Sequence, residues 1–274
     1  YYTDNYEGQE LIRKYDDDNI TVGSLGSEEV GPGPVAYWKF DEGADNTCPG
    51  GEDVCDSTSN GNDGTFTGSP EWQSEDMCIN GKCLYFDGTG NNYASLTANS
   101  ALNVGTGDFT ISAWVKTHDS TANQSIIEKG STSSPCDSSG SKGYTLRLLG
   151  GAPGIRLNTG SAQGCYTLTA DSALSANTWY YVSAVVDRSG NAEIYVNGSS
   201  VKSSDVSSYT NSLDGNSITR IGILGTTFPM NGSIDEVKIY PYARTEAQIK
   251  ADYNQFAAVL GLADQGNLSD GLVG

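Results

Sequence analysis

Six cysteines, at positions 48, 55, 78, 83, 136 and 165, carry the most definite chemistry in this chain. Two pairs are close together in Gly/Asn/Asp-rich loops, Cys48-Pro-Gly-Gly-Glu-Asp-Val-Cys55 and Cys78-Ile-Asn-Gly-Lys-Cys83. Cys136 and Cys165 flank two strand patterns over 143–148 and 153–157. Proximity predicts three disulfides, Cys48–Cys55, Cys78–Cys83 and Cys136–Cys165. Zinc is the rival use of such thiols, but the chain has one histidine, His118, and no paired Cys-x-x-Cys spacing. Disulfides place the protein outside a reducing cytosol, in an extracellular or cell-surface setting.

Among the carboxylates, Asp235 stands apart. Ile234, Val237 and Ile239 all read as core-facing, which breaks simple alternation and predicts a bulge around Asp235-Glu236. A carboxylate there either caps turn amides or holds a cation. The stretch from Asp56 to Asp63 lacks the alternating acids and terminal Glu of an EF-hand loop and reads as a tight β-connection. Trp38, Trp114 and Trp179 lie in strong strand patterns and read as packing residues. Trp72, Tyr144, Tyr166 and Phe228 lie in or near loops and are the candidates for stacking on a ligand such as a sugar ring. His118, next to Asp119, reads as solvated, and without a Gly-x-Ser-x-Gly motif a serine triad is not expected.

The formal net charge of −19 argues against a nucleic-acid partner, which needs Lys/Arg stripes. A solvated acidic surface and carboxylates that hold Ca²⁺ are both compatible with it. No apolar run reaches the roughly 18 residues of a membrane span. Five Asn-x-Ser/Thr sequons occur, at Asn19, Asn123, Asn197, Asn231 and Asn267; in an Asn- and Ser-rich chain chance explains most of them, and glycan use requires a host that glycosylates Asn.

These groups need a scaffold, and the sequence predicts an all-β one. Thr178 to Lys202 reads as a meander of three strands, with a turn at Arg188-Ser189-Gly190 and a type I′ hairpin turn at Asn197-Gly198. Phe109, Ile111, Ala113 and Val115 alternate with polar residues and Trp114, the period of a strand with one buried face. Strand patterns fall at 35–40, 64–67, 83–87, 92–97, 108–117, 124–129, 143–149, 153–158, 165–170, 178–187, 192–197, 199–203, 217–224 and 232–240. One helix is expected after Thr245, its N-cap, running to about Tyr253. Residues 1–33, with a short helix over Gln9–Tyr15, read as a linker or the tail of a preceding repeat. Residues 34–254 read as one domain, and 255–274 as a linker toward a following repeat. The repeat rests on similarity between the ends: Tyr15 to Tyr253 and Val35 to Val273 both span 238 residues.

Several segments, in order, resemble the laminin-G-like (concanavalin A-like) jelly-roll family. They are Val35-Ala36-Tyr37-Trp38-Lys39-Phe40-Asp41-Glu42-Gly43, Asp56 to Thr65, Leu84-Tyr85-Phe86-Asp87-Gly88, Asp108 to Lys116, Trp179-Tyr180-Tyr181-Val182, Ile194 to Gly198, and Ser233 to Tyr240. The resemblance covers about 35–253. It implies two stacked antiparallel sheets and binding rather than catalysis. It also implies a structural Ca²⁺ at Asp235, with Asp41, Glu42 and Asp87 as its partners. The Glu-x-Asp-x-Glu of glucanase-type relatives is absent, so the chain is not expected to be an enzyme. The expected role is a non-catalytic adhesion or binding module of a repetitive surface protein. Its partners would be a glycan, a surface protein or neighbouring copies of itself. The alternatives are a subunit of an extracellular filament or layer, and an accessory domain of a secreted carbohydrate-active enzyme.

Overall fold

The computed structural model describes residues 2–6, 9–13, 31–130, 142–160, 164–215 and 218–257. After an N-terminal pair of strands, β1 (Tyr2–Tyr6) and β2 (Gln9–Arg13), come β3 (Ala36–Trp38), β4 (Gly64–Thr67), β5 (Glu71–Gln73), β6 (Cys83–Asp87) and β7 (Tyr93–Leu96). They are followed by β8 (Phe109–Thr117), β9 (Gln124–Lys129), β10 (Lys142–Leu149), β11 (Ala152–Thr159) and β12 (Cys165–Thr169). The series closes with β13 (Tyr180–Val186), β14 (Asn191–Val196), β15 (Ser199–Asp205), β16 (Thr219–Ile221), β17 (Asn231–Tyr240) and one helix, α1 (Glu246–Ala257).

From β3 onward the strands form two antiparallel sheets. One has seven strands in the order β12-β11-β10-β9-β16-β7-β4; the other has eight, β15-β14-β13-β8-β17-β6-β5, with β3 also pairing β17. Period-2 patterning explains how they stack. The Phe109, Ile111, Ala113 and Val115 face of β8 meets Leu146, Leu148, Ile155 and Leu157 from the seven-stranded sheet in one apolar core. The other face of β8 carries Trp114, which with Tyr181, Val185 and Tyr195 receives Ile249, Tyr253 and Phe256 of α1. Trp114 stacks on Tyr253 at 5.7 Å. The eight-stranded sheet is thus apolar on both faces over its β8, β13 and β14 portion. The seven-stranded sheet has one apolar face, and its second face is polar.

The sandwich and its one helix agree with expectation, and Asn197 and Gly198 take the positive φ values, 51° and 78°, of the expected hairpin turn. The Thr245 cap is also present: Gln248 N donates to Thr245 Oγ1 at 3.2 Å and Thr245 N donates to Gln248 Oε1 at 2.9 Å, a reciprocal capping box. The helix runs to Ala257, one turn past the expected Tyr253 and beyond the expected domain edge at 254. Strand β5 was not expected, because three residues with one central Trp carry too little pattern to register.

The segment read as a helix over Gln9–Tyr15 is corrected. Residues Gln9–Arg13 form β2, paired antiparallel with β1 from Tyr2↔Arg13 to Tyr6↔Gln9. Aromatic and β-branched residues, Tyr2, Thr3, Tyr6 and Ile12, favour strands over a weak helical propensity. Residues Tyr1–Gly31 and Pro32–Gly274 form separate compact units. Ile12 and Arg13 lie on β2 whereas Ile249 and Lys250 lie on α1, so that likeness between the ends is not one of conformation. Its other members, Tyr15 and Leu272-Val273-Gly274, lie outside the described residues.

Candidate functional site

The polar face of the seven-stranded sheet is organised by strand register. Arg156 is opposite Thr145 and Thr167, Thr145 is opposite Glu128, Glu128 is opposite Arg220, and Arg220 is opposite Ser95, which faces Thr65. Directly opposed residues point to the same side, so these seven side chains form one row across the sheet. Alternation fixes the row outward: Arg156 lies between buried Ile155 and Leu157, and Ser95 between buried Ala94 and Leu96. A second row runs beside it, with Thr169 opposite Gly154, Gly154 opposite Arg147, and Arg147 opposite Ser125. A Cβ on Gly154 would lie 3.0 Å from Thr169 Oγ1 and 2.5 Å from Leu168 O, so β12 approaches too closely there for a larger residue.

The ends of the first row are exposed at Thr65 and Thr167, and its centre is buried. Glu128 is 0% exposed, Arg147 7% and Arg156 8%. Charge this deep needs partners. Glu128 Oε1 accepts from Arg220 Nη1 at 2.9 Å and from Gly225 N at 2.7 Å, which pins the loop after β16 onto the sheet. The same loop returns through Phe228, whose carbonyl accepts from Ser125 N at 2.9 Å. Arg220 also lies over the Tyr93 ring, 5.9 Å from its centroid.

Several buried polar atoms on this face have no hydrogen-bond partner: Arg147 Nε, Asn158 Nδ2, Ser125 Oγ, Thr169 Oγ1 and Glu128 Oε2. Asn158 uses its other atom, Oδ1, to accept from Gly160 N at 2.9 Å. Burial, and then the like charge of Arg156, pulls Arg147 down to about 10, which leaves it protonated at neutral pH. Burial raises Glu128 against the opposing pull of the Gly225 amide and Arg220. The two rows hold three guanidiniums and one carboxylate among the described residues, in a chain whose net charge is −19.

The residues singled out from sequence fall elsewhere, with one exception. Phe228 belongs to the loop that leans on this face, where it takes a positive φ of 52°. Tyr144 is instead a core residue of β10, 5.1 Å from Phe109, with its hydroxyl donating to Leu102 O at 2.9 Å. Tyr166 is buried on β12 against Tyr209, its hydroxyl donating to Ser204 O. The placement of Tyr144 and Tyr166 at loops is therefore corrected: each alternates with outward residues and so points into the core. Trp72 lies on β5, in the other sheet, and donates from Nε1 to Asp45 Oδ1 at 3.0 Å.

The four carboxylates implied as calcium ligands do not share one place. The bulge at Asp235-Glu236 is present, with Glu236 at φ 53° and the register shifting between Asp235 and Lys238. Asp235 Oδ2 accepts from Ile79 N at 3.0 Å and Asn80 N at 3.3 Å, both in the loop clipped by Cys78–Cys83, while its Oδ1 is buried without a partner. Burial, then the neighbouring charge of Glu236, raises Asp235 well above the usual carboxylate range, with Asp41 adding to the effect. Glu236 accepts from Tyr37 Oη and Asn80 Nδ2. Asp41 is thus near Asp235. Glu42 turns toward Cys55 N, and exposed Asp87 caps Thr89 in its own turn. The orphaned Oδ1 of Asp235 and the nearby Asp41 fit one corner of a cation site; Glu42 and Asp87 do not complete it. Among the described residues, one trio of potential ligands lies within 4.8 Å, Glu42 with Cys48 and Cys55, and the disulfide between these cysteines removes their thiolates.

Two expected disulfides, Cys48–Cys55 and Cys78–Cys83, are formed. Cys165 is also disulfide-bonded, and Cys136, its expected partner, lies outside the described residues. Among the described residues no helix is long and apolar enough to cross a membrane.

An all-β sandwich of two antiparallel sheets, one of them with a polar outer face, defines the class. The chain belongs to the concanavalin A-like lectin/glucanases superfamily, whose family model matches residues 87–250. Solved structures share the fold at low identity. The binding domain of a paraclostridial mosquitocidal protein is 16% identical, with a TM-score of 0.62 over 82% of this chain and 52% of that one. Domain 4 of an extracellular arabinanase from Geobacillus stearothermophilus, in complex with arabinotriose, is 20% identical, with a TM-score of 0.60 over 80% of this chain and 97% of that domain. The ligand-binding domain of botulinum neurotoxin serotype D, in complex with N-acetylneuraminic acid, is 14% identical, with a TM-score of 0.60 over 81% of this chain and 51% of that one. The chain spans about half the length of the toxin domains it matches. No curated protein matches it in sequence.

Proposed function

We propose that this domain is a non-catalytic glycan-binding module of an extracellular protein, and that it binds through the polar face of the seven-stranded sheet. The observation that carries the reading is the set of buried, unpartnered hydrogen-bonding atoms on that face, Arg147 Nε, Asn158 Nδ2, Ser125 Oγ and Thr169 Oγ1. A folded protein leaves such groups unsatisfied at a cost, and a hydroxyl-rich ligand satisfies them. Tyr93, beneath Arg220, borders the face and supplies apolar surface for a sugar ring. Solved structures of this fold bound to arabinotriose and to N-acetylneuraminic acid support a carbohydrate ligand. The two rows offer one carboxylate among the described residues, Glu128, whereas glycoside hydrolysis requires a flanking pair. The disulfides support an oxidising, extracellular setting.

Asn158→Asp tests the reading, because it keeps the acceptor for Gly160 N and removes the unpartnered donor. Titration calorimetry against a panel of neutral and acidic oligosaccharides should find a ligand for the wild type and an affinity lower by about tenfold for the variant. A panel without any ligand, or unchanged affinity in the variant, would contradict it. The arabinanase domain, matched over 97% of its length, favours one refinement: an accessory module joined to a carbohydrate-active enzyme.

A further inference from the structure

The polar face also has a sign, and this deepens the binding reading on which it rests. Of six arginines in the chain, Arg147, Arg156 and Arg220 converge here, while the one carboxylate in the two rows, Glu128, is engaged by Arg220 and Gly225. Arg156 has partners of its own. Arg147 is different: its Nε is buried and unpartnered, and its strand neighbours across the sheet are Gly154 and Ser125, neither of which can neutralise it. A charged group kept in this state raises the energy of the free protein, and an anion is the partner that relieves it.

We propose that Arg147 receives the carboxylate of an acidic sugar, the guanidinium pairing with it while Thr169 Oγ1, in the same row, takes a neighbouring oxygen and Asn158 Nδ2, four residues along β11 from Gly154, reaches a further sugar of the chain. Gly154 puts no side chain between Arg147 and Thr169 in the second row. A planar guanidinium and a carboxylate match in shape, which gives orientation as well as attraction. The overall charge of −19 sharpens the choice of ligand. Heavily sulfated or phosphorylated polymers are repelled most at long range, whereas a carboxylate flanked by hydroxyls needs only this local positive spot. The carboxylate could belong to a uronic acid within a polysaccharide or to a terminal nonulosonic acid.

The test is calorimetric titration of wild type, Arg147→Gln and Arg147→Lys with four probes: trigalacturonate, its carboxyl-reduced counterpart galactotriose, sialyllactose and lactose. The wild type should bind trigalacturonate or sialyllactose at least about tenfold more tightly than the matching neutral probe, and which of the two it binds identifies the source. Arg147→Gln should lose that discrimination while its thermal melting stays cooperative. Arg147→Lys, with charge but no fork, should fall between. Equal affinity for acidic and neutral partners, or discrimination that survives Arg147→Gln, overturns the carboxylate proposal and leaves the binding module standing. No binding to any of the four overturns the carboxylate proposal, and a blank on the broader panel then sinks the binding reading as well.

Discussion

If Arg147 is kept for a ligand, the free protein should be more stable without it. Arg147→Met replaces a buried guanidinium with an apolar side chain of comparable length, in a position flanked by Gly154 and Ser125. The wild type carries a donor that is buried and unbonded, which costs about 1–3 kcal/mol. It also places this charge near Arg156, whose like charge opposes it. Methionine removes both terms and loses no hydrogen bond. A net gain of about 1–2 kcal/mol follows, and at about 2–4 °C per kcal/mol for a domain of this size the melting temperature should rise by about 2–8 °C. Urea denaturation, with wild type and variant sharing one m-value, gives the free energy directly. The variant should also lose acidic-sugar binding, a trade of function against stability at one position. A variant less stable than the wild type by more than about 1 kcal/mol would show that Arg147 is a structural residue, and the reasoning would fail.

The neighbouring carboxylate should behave in the opposite way. Glu128→Gln breaks the buried pair with Arg220, so it should destabilise by about 3–5 kcal/mol in the same urea assay. Asp235 is held well above its ordinary value of 3.8 by burial, so its contribution to stability is full at low pH and is lost as pH rises from that range through its folded value. With EDTA present, Asp235→Asn should therefore melt higher than wild type at pH 8, and the difference should vanish near pH 3. A structural Ca²⁺ at Asp235 and Asp41 is proposed for the same corner. Added Ca²⁺ should then raise the melting temperature of the wild type and not that of Asp235→Asn, and melting unaffected by EDTA would remove the ion from the account. Thr245→Ala, which opens the capping box, should cost about 1 kcal/mol by urea denaturation.

The fold was legible because its strands obey a period of two with one apolar face, as Phe109 to Val115 show, and because Asn197-Gly198 admits few conformations other than the hairpin turn. The bulge at Asp235-Glu236 was legible for the same reason, since a break in alternation is itself a pattern. The polar face of the seven-stranded sheet was not read from sequence, although its signal was present. Arg147 and Arg156 each interrupt an aliphatic strand, in Leu146-Arg147-Leu148 and Ile155-Arg156-Leu157, and the hairpin turn at Gly150-Gly151 aligns those strands. Glu128 and Arg220 come from strands far apart in the chain, and no local pattern says that β16 inserts between β9 and β7. Aromatic residues drew attention instead, and a tyrosine such as Tyr144, with an apolar ring and one hydroxyl, suits a core position as well as a surface one. Glu42 and Asp87 were grouped with Asp235 by resemblance alone, and the backbone amides nearest to them claim them first.

The side-chain Nε–Hε resonances of the arginines offer the most direct measurement. The nuclear magnetic resonance spectrum of the protein should be followed while an oligosaccharide that it binds is added. Perturbations should centre on Arg147 and Arg156, with amide shifts along Thr167, Thr145 and Ser125. Shifts confined to the loop at Ile79-Asn80 and Asp41, or to the helix-covered face around Trp114, would place the ligand elsewhere and contradict the account.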